Sequence, residues 1–394
     1  MPAALRHTPA LPPKIMILIT EDWFLLSHFK ALVAALVQRV GNVTVVTTAS
    51  GRLAEIEALG ARTIAFDFER ASFDPVRQAG IVRRLLRLMH AERPDLVHSI
   101  ALKPIALGGL AIAAARFDKR RPKFVMHLTG VGFAGTTSSK GRTPLVYAMT
   151  LRLMARLLRS SDTALLVENP DDAIRVAGAG WQQRGQITVL GGAGVDAGAF
   201  AHRPLPDVVT PAAGYLGRMV WTKGVDILIE AHRLVRGQDV DLTVRLGGTP
   251  DRANPRAIPQ ADLDAWGRLP GVELPGRITD AAAFWAGTHM AVVPSRGGEG
   301  MPRALLEAAS TGRALIVTDV PGCRHFVRNE RDGLIVPPDD AAALAAALHR
   351  LATDLPLARR LGDSARARLL DGFTEAHVAE AVIAAYRHLL TTQS

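Results

Sequence analysis

Cysteine is almost absent: Cys323 is the only one in 394 residues. An internal disulfide is therefore impossible and a cysteine metal cluster is excluded, which fits a reducing cytoplasm. Aromatic residues make up only 5% of the chain. Without a stacking platform or a recognised nucleic-acid motif, a nucleic-acid partner is not expected. No apolar run reaches the ~18–20 residues that span a bilayer. The longest, around Ala101–Ala115, is short and holds Lys103 and Pro104. The first 13 residues lack a signal-peptide pattern and read as a loose extension. No histidine pair has metal-ligand spacing, so neither a metal nor any other cofactor is expected. Internal repeats are absent too.

What is present is ordinary for a soluble globular chain: 48% apolar and 21% charged residues. The length exceeds one compact core, so two domains are expected. Net charge is +10 with arginine dominant. Such a balance suits an anionic partner; the codon usage of a high-GC genome would give the same excess.

Short β-rich apolar runs alternate with helical patterns. Strands are predicted at 15–20, 43–47, 62–66, 95–99, 123–128 and 163–167, with helices over 28–39 and 77–92. Ala201–Pro211 has three prolines and no periodicity, and reads as a linker. The alternation resumes at 214–217, 242–246, 272–274, 290–293 and 315–317, and an amphipathic helix over 375–390 closes the chain. Two α/β halves with parallel sheets and a cleft between them follow, binding ligands beyond the carboxyl ends of the strands.

The strongest local pattern is "RGGEGMPRALLEAASTG", Arg296–Gly312, after an apolar strand. Gly297, Gly298 and Gly300 permit positive φ and close ligand approach. Pro302 suits the first helical position, and the amides of that helix would point into the glycine loop. Glu299 and Glu307, eight positions apart, would reach different ends of an elongated ligand rich in hydroxyls; a surface loop before a capped helix has the same pattern. The second pattern is "YLGRMVWTKGVDILIEA", Tyr215–Ala231. A strand ends at Gly217, and Arg218 and Lys223 would neutralise a departing diphosphate or simply flank a turn as solvated charges.

"GRMVWTKG" followed by "EGMPRALLE" resembles the family-4 retaining glycosyltransferases of the GT-B fold, whose E-x7-E signature matches Glu299–Glu307. "TEDWFLLSH", "PDLVHSIALKP", "HLTGVGF", "ENPDD", "GAGVD", "TDVPGCR" and "DGLIVPP" are similar to segments of bacterial members. Those members build surface polysaccharides and glycans on lipid carriers.

The resemblance implies two Rossmann-like domains with parallel sheets facing a central cleft. Residues 14–202 would bind acceptor, 203–211 link, 212–373 bind nucleotide sugar, and 374–394 form a helix returning to the first domain. Arg218 and Lys223 would bind the donor diphosphate and Glu307 the ribose. Glu299, with the amides of Gly300 and Met301, would hold the sugar; Gly217 and Pro302 would line the same site. Catalysis would need no metal.

The chain also departs from the family pattern. Glu21–Phe24 stands where many relatives carry a glycine-rich loop. A donor-facing histidine after the fifth strand is matched by either His127 or the segment Thr129–Gly130, with His127 on the strand and equally suited to the core. Trp23, His28, His98 and Lys103 are acceptor-side candidates. Asp171–Asp172 has the look of a manganese motif, but a helix start after Pro170 explains it more simply.

Lys140–Arg159 carries five basic residues and no acid, with apolar residues at helical spacing. It reads as a helix lying on an anionic membrane, aided by Arg83, Arg84 and Arg87, or as an ordinary surface helix. The expected activity is transfer of a hexose or N-acetylhexosamine from a nucleotide diphosphate, UDP by preference, to a polyprenyl-diphosphate-linked acceptor at the cytoplasmic membrane face. The alternatives are a soluble acceptor or a sugar-nucleotide epimerase of the same architecture.

Overall fold

The computed structural model describes residues 13–69, 74–115, 121–130, 143–251 and 254–391. Residues 1–12, Val131–Phe133 of "HLTGVGF", and Lys140 and Arg142 of the basic segment lie outside the described residues.

Two sheets form. The first contains β1 (Ile15–Glu21), β2 (Val43–Thr48), β3 (Arg62–Ala65), β4 (Leu96–Ile100), β5 (Lys123–Leu128), β6 (Thr163–Val167) and β7 (Ile187–Val189), in the order β3-β2-β1-β4-β5-β6-β7. The second contains β8 (Ala212–Leu216), β9 (Thr243–Gly247), β10 (Val272–Gly276), β11 (Met290–Val293), β12 (Ala314–Thr318) and β13 (Leu334–Val336), in the order β10-β9-β8-β11-β12-β13. All neighbours in the second sheet pair in parallel.

Parallel strands need crossover helices that cover both faces, so their residues are apolar throughout rather than alternating. β6 and β12 are buried at every position. In the second sheet Val292 and Ile316 enter one buried cluster, while Ala291, Val293, Leu315 and Val317 enter the other. That is the two-residue period of a strand with a core on each side.

Strand order reverses once in each sheet, between β1 and β4 and between β8 and β11. In such sheets ligands bind beyond the carboxyl ends of the strands flanking the reversal. Gly217–Arg218 and Ser295–Met301 occupy that place in the second sheet.

Packing divides the chain into two compact units. One holds the chain up to His127, Arg152–Leu165 and the chain from Val382; the other holds Leu128–Leu151 and Leu166–Ala381. Hence the segments leaving β5 and β6 group with the second sheet.

Some expectations shift. Glu21–Phe24 is not a loop: a helix begins at Asp22, directly after β1. The buried Asp22 carboxylate accepts the amides of Ser50 at 2.7 Å and Arg52 at 3.2 Å, which ties the next strand's loop to this helix start. Pro302 is the extended residue before its helix, with ψ 124°, and the helix runs Arg303–Ser310. Three-residue strands β7 and β13 were too short to carry a period. Ala101–Ala115 contains the core helix Leu102–Ala114. No helix among the described residues is long and apolar enough to cross a membrane.

Candidate active site

The second unit brings the two motifs together. Gly217 and Arg218 follow β8 directly. The Tyr215 hydroxyl donates to the Arg218 carbonyl at 2.8 Å, anchoring the backbone there. The half-exposed Arg218 guanidinium lies 2.9 Å from the Asp251 carboxylate. A short turn, Trp221–Lys223, ends at Gly224 with φ +68°. A Cβ at Gly224 would fall 2.0 Å from the Pro294 carbonyl oxygen, so the turn rests on the end of β11. Lys223 Nζ thereby meets Glu299 Oε1 at 2.5 Å. The Ser295 hydroxyl donates to the same oxygen at 3.0 Å.

Arg296 joins these two loops. Its guanidinium donates to Asp226 at 2.8 Å, to Asp339 and to the Trp221 carbonyl, and its amide donates to the Thr222 carbonyl at 2.9 Å. The sequence reading gave Arg296 no role, since an arginine opening a glycine loop looks like any solvated charge.

Gly297 and Gly298 adopt φ of +101° and +84°. Gly300 is glycine for a different reason: a Cβ there would lie 2.0 Å from Glu168 Oε2. Gly130, at φ +99°, faces the same peptide, and a Cβ on it would lie 2.3 Å from the Gly300 nitrogen. Thr129–Gly130 is therefore packed against Glu299–Gly300, and a side chain at either glycine would separate the two segments.

The Met301 amide, expected to face the sugar, donates to Glu168 Oε2 at 2.7 Å. Asn169 donates to the Gly300 carbonyl at 3.3 Å and caps the helix Pro170–Ala177. "ENPDD" thus supports the glycine loop, a role the sequence reading missed because the partners lie more than 130 positions apart. Asp171 pairs with Arg324 at 2.6 Å and Asp172 accepts from Asn169 at 3.0 Å. Asp172 thus joins the capping residue at the helix start, while Asp171 ties that helix to Arg324. Among the described residues no group of three His, Cys, Asp or Glu is arranged to hold a metal.

Glu307 sits in the second turn of its helix and is buried. Its oxygens meet Arg303 Nε at 2.9 Å and Trp285 Nε1 at 3.4 Å, so one carboxylate is oriented from two sides.

Of the first-unit candidates, Trp23 is exposed and the His28 ring lies 2.7 Å from the Ser27 hydroxyl. Half-buried Lys103 donates to the Glu69 carbonyl. Burial pushes its pKa down, against the pull of Glu69 and Asp67. His98 does not reach an exposed edge. Its ring is fully buried, with Nδ1 2.6 Å from the Tyr386 hydroxyl, and it stacks on His127 at 5.3 Å. His127 is fully buried as well, and burial drives its pKa down to about 3. Both are neutral core residues, since an imidazolium there would lack water and counter-charge.

Doubly wound parallel sheets, the second with cationic and acidic side chains gathered beyond its reversal of strand order, are a Rossmann-like architecture that binds ligands at that place. The pair of them is the GT-B arrangement: the fold matches Anabaena Alr3699/HepE, solved in complex with UDP and glucose, with a TM-score of 0.73 and 17% identity over 95% of this chain and 99% of that one. Residues 27–191 match the family described as "Glycosyl transferase 4-like domain", and residues 210–354 match "Glycosyl transferases group 1". The chain belongs to this glycosyltransferase family and is a glycosyltransferase. It is 23% identical to the capsular polysaccharide biosynthesis glycosyltransferase CapM of Staphylococcus aureus, over 78% of this chain and 80% of that protein. It is also 23% identical to the N,N'-diacetylbacillosaminyl-diphospho-undecaprenol alpha-1,3-N-acetylgalactosaminyltransferase of Campylobacter jejuni, over 86% and 89%.

Proposed function

We propose that the protein transfers a hexose or N-acetylhexosamine, with retention, from a UDP-sugar to a polyprenyl-diphosphate-linked sugar in the assembly of a bacterial surface polysaccharide. The observation that carries this reading is the meeting of Lys223 and Glu299 at 2.5 Å beyond β8 and β11. Arg218 and Lys223 bind the donor diphosphate, and Glu307 takes the ribose hydroxyls. Glu299 and the Gly300 amide take the sugar. In the reaction the bond from the anomeric carbon to phosphate oxygen breaks and the bond to the acceptor hydroxyl oxygen forms. The acceptor proton passes to the leaving diphosphate. Fixed cations next to the departing charge need no reorganisation as it develops, which is where such sites gain most of their rate.

The acceptor reading draws on the lipid-diphospho substrate in the name of the Campylobacter relative and on the helix Thr143–Leu157. Leu145, Met149, Arg152 and Arg156 lie along one stripe of that helix and are all exposed. Apolar and basic residues on one exposed stripe suit the surface of an anionic bilayer, where the enzyme would work from the cytoplasmic side.

The test is incubation of the full chain with radiolabelled UDP-glucose, UDP-galactose and their N-acetylamino counterparts, with and without a bacterial membrane lipid extract. Label moving into the lipid phase from one donor is the expected result. Conversion of the nucleotide sugar to its epimer, with no lipid-phase label, would favour an epimerase and sink the transferase assignment.

A further inference from the structure

Glu168 is a carboxylate with no part in the chemistry described so far. It leaves β6, is 5% exposed, and points at the loop that follows β11. Oε2 accepts the Met301 amide at 2.7 Å and occupies the volume a Gly300 side chain would fill. Its neighbour Asn169 holds the carbonyl on the other side of the same residue, at 3.3 Å. Gly130 and Gly322 close the remaining sides, since Cβ atoms there would lie 2.3 Å from the Gly300 nitrogen and 1.7 Å from its carbonyl oxygen. Gly300 is thus gripped by four residues on three segments, and only the Glu168 grip titrates.

We propose that Glu168 is a positioning residue for sugar transfer, whose carboxyl holds the Glu299–Met301 segment in the geometry that receives the donor sugar. The proposal rests on the reading of Glu299 and the Gly300 amide as sugar-facing. It extends that reading by naming what fixes them.

The environment determines which form of the carboxyl does this. Burial pushes the Glu168 pKa up, opposed by the Met301 amide and reinforced by Asp172 and Glu299, to about 8. The charges acting on it are Asp172 and Glu299. Asp172, on the helix Pro170–Ala177, has its own pKa raised to about 6 by burial, against Arg175. Glu299 carries Lys223 on Oε1. The helix Pro321–Phe326 brings Cys323, a thiol held protonated by burial, and Arg324, which is engaged by Asp171 and Asp319. No cation pairs with Glu168 among the described residues. At neutral pH the neutral acid accepts the Met301 amide through its carbonyl oxygen. Above pH 8 ionisation adds a negative charge beside Asp172 and Glu299, and repulsion acts on the residue that must face the sugar.

Glu168→Gln keeps the size and the acceptor oxygen but cannot ionise; Glu168→Asp withdraws the carboxyl by one methylene. Two measurements on the full chain test the proposal. The first is hydrogen exchange at the Met301 amide between pH 6 and 9.5, corrected for intrinsic rate, without nucleotide. Wild type should gain protection above pH 8, because the ionised carboxylate is the stronger acceptor, Glu168→Gln should hold its neutral-pH protection throughout, and Glu168→Asp should lack it at every pH. The second is UDP binding and label transfer from the UDP-sugar that labels lipid. Glu168→Asp should lower the transfer rate about 30-fold with UDP affinity unchanged. Glu168→Gln should keep the neutral-pH rate and lack the alkaline decline of wild type.

Two results would overturn the proposal. One is an alkaline decline that persists in Glu168→Gln. The other is Met301 protection that is the same in all three proteins. If wild type neither binds UDP nor transfers from any UDP-sugar, the donor assignment fails instead, and the exchange measurement still decides whether Glu168 grips the loop.

Discussion

Gly130→Ala puts a single methyl group between two backbones and gives a calculable perturbation. The new Cβ would lie 2.3 Å from the Gly300 nitrogen and 2.7 Å from the Glu299 carbonyl carbon, where ordinary contact begins at 3.4 Å. Neither neighbour is a flexible side chain, so the Glu299–Gly300 backbone has to retreat by about 1 Å, a displacement of a positioning group that costs on the order of 100-fold in rate. Alanine at φ +99° adds roughly 1–2 kcal/mol of backbone strain, and a modest fall in Tm is expected. Of the residues assigned to UDP, Arg218 pairs with Asp251 and Glu307 with Arg303, and only Lys223 touches the shifted segment, through the Glu299 side chain. The paired assays are UDP titration calorimetry and label transfer to lipid extract. UDP affinity should hold while transfer falls about 100-fold. Transfer at the wild-type rate, or a loss of UDP affinity in proportion to the loss of rate, would refute the placement of Gly130 against a sugar-facing loop.

Lys223→Ala should slow transfer by about 100- to 1000-fold while uridine monophosphate binding stays near wild type; an equal loss in both would remove lysine from the departing charge. Glu307→Ala should weaken UDP binding and also lower stability by about 1–3 kcal/mol, because Arg303 and Trp285 lose their acceptor. His127, with a folded pKa of about 3 against 6.5 unfolded, makes stability complete above pH 6.5 and eroded as pH falls from there toward 3. The slope approaches ~1.4 kcal/mol per pH unit for each such histidine, and His98 shifts in the same direction. Denaturant midpoints between pH 7 and 5 should therefore fall less steeply in His127→Leu, and an unchanged slope would count against a buried neutral ring. The double variant Leu145→Ser, Met149→Ser should reduce sedimentation with phosphatidylglycerol vesicles; equal sedimentation would leave that helix without a membrane role.

The sequence alone determined the α/β alternation, and it marked a proline-rich break at 201–211 and two motifs at strand ends. Each is a local pattern: apolar runs bounded by turn residues, prolines without periodicity, glycines and charges at a strand end. The order of motifs that a family shares made Arg218, Lys223, Glu299 and Glu307 candidates for one site, and of these the structure brings Lys223 and Glu299 into contact. Tertiary structure decided what depends on neighbours distant along the chain. Asp22 looked like part of a loop because its partners Ser50 and Arg52 lie on another strand's turn. His98 looked like a strand-end site residue and His127 as much a core residue as a site residue, since a strand's period does not say which face Tyr386 covers. Gly300 read as a glycine that permits positive φ and close ligand approach, yet a side chain there would collide with Glu168. The reason is common to all three. Backbone pattern is written locally, whereas burial, pKa and close approach are set by whatever another segment places within a few ångströms.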